Sequence, residues 1–72
     1  MLISKTAKNL VLETLLAMAT EEQQRLDLTL ACMVHEKNDE ILAQLFDEVG
    51  EIIKRKSALN SAVSLLGGNP LP

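Results

Sequence analysis

Aromatic residues are almost missing from this 72-residue chain, which holds one phenylalanine, Phe46, and no tryptophan or tyrosine. β-Rich domains lean on aromatic and β-branched side chains. Here leucine and alanine supply most of an apolar share of 47%, so the composition points to packed helices. Glycine and proline are scarce as well. Gly50 is the one residue of either type before Gly67, and both prolines lie in the last three residues, so nothing strongly breaks the middle of the chain. A lone cysteine, Cys32, cannot form an internal disulfide, and the fold needs no oxidising compartment. Positive charge is short too: seven Lys and Arg face ten Asp and Glu, for a net −3. A protein that works by neutralising phosphates needs the opposite balance, so nucleic acid is not an expected partner.

The length allows one small domain, too short for the two-lobed architectures that most catalysts use. The expectation is a binding module and not an enzyme. Lys5 and Lys8 precede an apolar run, Leu10 to Ala19, whose end Ala17-Met18-Ala19 has the small-x-small form of a secretory cleavage site. Glu13 interrupts that run, and it is about half the length of a membrane span. A cytoplasmic chain without membrane insertion is expected.

From Ser4 to Leu66 the pattern is helical. Leu42, Leu45, Val49, Ile52, Lys56, Leu59, Val63 and Leu66 keep a strict 3,4 spacing, the seam of a coiled coil. Acids crowd the start of this segment and Lys54-Arg55-Lys56 follows, the order the helix dipole favours, with Glu51 and Arg55 placed as an i,i+4 pair. Gly67 is the expected C-terminal cap. In the first half Leu12, Leu16, Ala19, Gln23, Leu26, Leu30 and Met33 carry the same repeat. Between them Glu36-Lys37-Asn38-Asp39 is polar, and Asn38 suits either a left-handed position or an N-cap. If the chain turns back here, facing layers must have a constant sum of residue numbers. From Met33 with Leu42 to Leu12 with Val63, seven layers sum to 75.

The expected fold is therefore all-α, an antiparallel, coiled-coil-like helical hairpin. Residues 1–66 form one domain, with a helix over about 4–36, a turn at 36–39 and a helix over about 39–66, and 67–72 form a flexible C-terminal tail. The alternative is a three-helix bundle, because Thr20-Glu21-Glu22-Gln23 matches a capping box that would start a new helix at Thr20.

Residues with chemical potential are few. Cys32, His35 and Glu36 share one helical turn, but a structural zinc site wants four ligands and the chain holds no second Cys or His. As a nucleophile they would lie on a smooth helix without oxyanion donors. No metal, cofactor or catalytic residue is expected; the plainer reading is a small buried thiol and a helix-terminal histidine. Lys54-Arg55-Lys56 reads as a solvated face, with Lys56 snorkelling past Ala19. Gly50 either admits a partner's backbone or is an accidental exposed glycine.

The most informative feature is surplus apolar surface. Two helices can bury one stripe each, yet Leu10, Val11, Leu15, Met18, Leu28, Cys32 and Val34 lie off the first seam, and Ile41, Phe46, Ile53 and Leu65 off the second. Of these, Val11, Leu15, Met18, Phe46 and Ile53 are the candidate partner-binding residues. Covering them calls for another chain, and the isolated protein is expected to self-associate.

The stretch Lys56-Ser57-Ala58-Leu59-Asn60-Ser61-Ala62-Val63-Ser64-Leu65-Leu66 is similar to the K-A-L-E-S-A-I-A-I-I ending of the small co-chaperones of type III secretion needle subunits, the YscE/PscE-type proteins. The chain resembles that family in size and in its expected hairpin; its turn lacks the family's glycines and its tail the aromatics. The resemblance implies a cytoplasmic hairpin that binds a helical-repeat chaperone and with it keeps the needle subunit unpolymerised. The same surplus stripe would equally serve a homodimeric four-helix bundle acting as a regulator or adaptor.

Overall fold

In the computed structural model, which describes residues 4–72, helix α1 spans Lys5–His35 and helix α2 spans Asp39–Leu65. The two pack along their whole length as an antiparallel hairpin of 53 × 16 × 15 Å. Residues 1–3 of the expected domain lie outside the described part.

Each helix boundary has a local cause. Ser4, in extended conformation, accepts the Ala7 amide on its hydroxyl and opens α1. Thr20 does not start a helix. Its hydroxyl donates to the Leu16 carbonyl one turn back, so α1 runs on unbroken and the three-helix form is excluded. The turn is three residues, Glu36 to Asn38, and needs no glycine because side chains satisfy its amides. Glu36 Oε1 accepts from the amides of Lys37 and Asn38, and Asn38 Oδ1 accepts from those of Glu40 and Ile41. Asn38 is thus the N-cap of α2 and not a left-handed residue. At the far end Gly67 takes a φ of 81°, which only glycine adopts without strain, and its amide and that of Gly68 close the last carbonyls of α2. A Cβ placed on Gly67 would lie 3.5 Å from Lys8 Nζ, so a cation from α1 stands at the negative end of the α2 dipole.

The core is thin. Among the described residues Ala19, Ile52 and Val63 are the fully buried apolar ones, and the other α2 seam positions, from Leu42 through Lys56 to Leu66, are all half-buried. The expected layer of Leu12 and Val63 is visible at Gly68, where an added methyl would stand 2.7 Å from Leu12 Cδ2 and 3.0 Å from Val63 Cγ1. Of the expected α1 seam, Leu12, Leu16, Ala19, Gln23, Leu26 and Met33 are buried or half-buried and Leu30 is not. Glu22 is buried beside the half-buried Gln23, and Thr29 is half-buried while Leu30 is 43% exposed. The buried line runs Leu12, Leu15, Ala19, Glu22, Leu26, Thr29, Met33, still in 3,4 steps but turned slightly toward one side.

Residues 67–72 fold back on α2, where the Asn60 carboxamide bonds the backbone of Leu71 in both directions, Nδ2 to the carbonyl at 3.1 Å and Oδ1 from the amide at 3.3 Å. Lys56 Nζ donates to the Pro72 carbonyl at 2.8 Å.

Candidate partner-binding faces

On an α-helix the residues at i, i+4, i+7 and i+11 form one stripe. Beside the α1 seam one such stripe is Val11, Leu15, Met18, Glu22, Arg25, Thr29 and Cys32; on α2 it is matched by Ile41, Glu48, Arg55 and Ala62, seven residues apart. The bond from Arg55 Nε to Glu22 Oε2, 3.1 Å, ties these two stripes into one side of the hairpin, the first face. On the opposite side run Leu16, Gln23 and Leu30 of α1 with Phe46, Gly50, Ile53, Ser57 and Asn60 of α2, the second face. The five candidate partner-binding residues therefore do not converge. Val11, Leu15 and Met18 lie on the first face, while Phe46 and Ile53 lie on the second.

Their exposure is as a docking surface requires: Val11 46%, Met18 47%, Phe46 65% and Ile53 52%, with Leu15 half-buried. Among the described residues ten large apolar side chains are exposed, against three apolar residues in the buried core. A Cβ at Gly50 would meet nothing within 4 Å, so between Phe46 and Ile53 the second face has a flat, open step. Further along, the tail roofs that face, and Ile53, Asn60, Ser64, Pro70 and Leu71 line a groove between α2 and the tail. Met18, Glu22, Arg55, Ala58 and Leu59 line a smaller recess on the first face.

Arg55 was expected to pair with Glu51 along its own helix. It instead bridges to Glu22 across the seam and to Glu48 at 3.5 Å, while Glu51 meets Lys54. Arg25 joins Glu22 at 3.6 Å, which completes a four-residue cluster at mid-length of the hairpin. The reason lies in how helical side chains lean. Each points toward the N-terminus of its own helix, so in an antiparallel pair the leans run in opposite directions. Long tips then meet from residues whose numbers sum to slightly more than those of the backbone layer. Glu22 with Arg55 and Gln23 with Lys56 both obey this; Lys56 Nζ hydrogen-bonds Gln23 Oε1, so the two polar seam residues satisfy each other and Lys56 does not merely pass Ala19. The Arg55 guanidinium is held above its ordinary value, chiefly by the hydrogen bond to Glu22, against the desolvation that lowers it. A cation with a raised pKa stabilises the fold below its unfolded value and loses that effect only as pH rises through the folded one, far into the alkaline range, so this contribution is flat across ordinary pH.

Cys32 is exposed and not a buried thiol, because it lies on the first-face stripe rather than in the seam. His35 does close α1, in its last turn. No group of three or more His, Cys, Asp or Glu is placed to hold a metal ion among the described residues, and none of their helices is long and apolar enough to cross a membrane. Comparison with protein-family models, with curated proteins and with solved structures finds no match to this chain.

Proposed function

We propose that this chain is a non-enzymatic, protein-binding helical hairpin, and most concretely a cytoplasmic co-chaperone of type III secretion that works with a helical-repeat chaperone to keep a needle subunit soluble. The observation that carries the binding role is the imbalance between a core of three buried apolar residues and the large apolar side chains left in solvent. Exposed apolar stripes on both sides of a stable hairpin are surfaces for other proteins. Phe46 and Ile53, one open step apart on the second face, supply the anchors for the chaperone, since aromatic and aliphatic side chains at the centre of an interface carry most of its energy. The secretion role rests on the likeness of residues 56–66 to the needle co-chaperones.

Co-expression with a helical-repeat secretion chaperone and its needle subunit tests both parts. A soluble ternary complex, lost when Ile53→Asp places an unpaired charge in the interface, is the expected result. A wild-type chain that leaves the needle subunit insoluble and binds neither protein would overturn the secretion role.

A further inference from the structure

We propose that two copies of this chain pair antiparallel, side by side, through the first face, with the Glu22–Arg55 cluster on the two-fold axis. This pairing uses the face of Val11, Leu15 and Met18 and not the Phe46 and Ile53 anchors assigned to the chaperone, and it stands or falls separately.

The first observation is area. The chain exposes 5502 Å², whereas a compact protein of its mass exposes about 4,400 Å². The excess of about 1,100 Å² is of the size that one partner contributes to a stable interface, about 800 Å². A hairpin 53 Å long and 16 Å wide sheds such excess most completely against a partner of the same length.

The second is charge. Residues 20–52, the half that contains the turn, carry nine acids against Arg25 and Lys37, a net −7; the remaining residues carry Glu13 alone against Lys5, Lys8, Lys54, Arg55 and Lys56, a net +4. Parallel pairing would set turn against turn and like charge on like. Antiparallel pairing sets each acidic half along the partner's basic half, which favours encounter in that orientation.

The third is the order of residues along the first face. Val11, Leu15 and Met18 are apolar toward the open end, Cys32 and Ile41 are apolar near the turn, and between them lies a cluster of two acids and two bases with no net charge. Turned about an axis through the cluster, this sequence of surfaces meets itself, apolar on apolar and ion on ion, the self-complementarity that an isologous interface demands. The second face cannot do this, because the tail covers its far half with Pro70 and Leu71.

The test places one spin label at the turn tip of the full chain, by Lys37→Cys in a Cys32→Ser background, and reads the distance between copies by pulsed dipolar spectroscopy. At 1.5 Å per residue an antiparallel pair separates the two turn tips by about 45 Å. Light scattering on the same sample reports the mass, expected at twice 7.9 kDa. Met18→Glu, on an exposed site, should weaken pairing at least tenfold with helicity kept; Ile53→Asp should leave it unchanged. A tip-to-tip distance under about 20 Å, a monomer at micromolar concentration, or pairing lost in Ile53→Asp and kept in Met18→Glu would each overturn the proposal. A monomer that still binds the secretion chaperone would overturn this pairing alone.

Discussion

The two helices of the hairpin read very differently as sequence. In α2 every seam position from Leu42 to Leu66 is at least half-buried, and the apolar residues beside the seam, Phe46 and Ile53, are exposed. In α1 apolar residues surround the helix, with Leu10, Leu28 and Val34 exposed on other sides, and the buried line passes through Glu22 and Thr29. A helix apolar on several sides has no single face of its own. The difference teaches that α2 chooses the register and α1 conforms to it, taking the charged partner that Arg55 needs.

That comparison is broken most easily at the seam. Ile52→Ala removes a fully buried side chain and should cost about 2 to 5 kcal/mol, enough to unfold most of so small a domain; thermal unfolding by circular dichroism reads it. Asn38→Ala deletes the acceptor for two amides at the start of α2 and should cost about 1 kcal/mol in urea denaturation. Gly50→Ala moves the other way. Its Cβ enters open space on a helix, so a gain of about 1 kcal/mol is expected, and a loss would mean that the backbone there is closer packed than it stands. Leu30→Ala, at an α1 position the repeat marks as seam but the structure leaves 43% exposed, should change the midpoint least of all. A cost equal to that of Ile52→Ala would restore the simple heptad reading of α1.

The hairpin, its turn between Lys37 and Asn38 and the Gly67 cap were legible from periodicity and punctuation, because α2 alone fixes a seam and a three-residue polar turn leaves little choice of register. The Glu22–Arg55 bridge was not legible. It depends on the lean of long side chains across two helices, which single-helix spacing rules cannot express, and the i,i+4 rule pointed to Glu51 instead. The Asn60–Leu71 contact was not legible for a similar reason, since the two residues meet only after the chain has turned at Gly67. Of the five candidate binding residues each is on the surface or its edge, but their division between two faces follows from the antiparallel geometry and not from the surplus of apolar residues that singled them out.

The distinction between seam and face is the claim on which the binding role depends, and one paired measurement tests it directly. Circular dichroism and a chaperone pull-down are run on the same samples of Leu59→Ala and Ile53→Asp. Leu59, half-buried in the seam, should lose helicity when truncated, whereas Ile53, 52% exposed, should keep its helicity and lose the partner. Equal loss of helicity in the two variants, or full binding by Ile53→Asp, would contradict it.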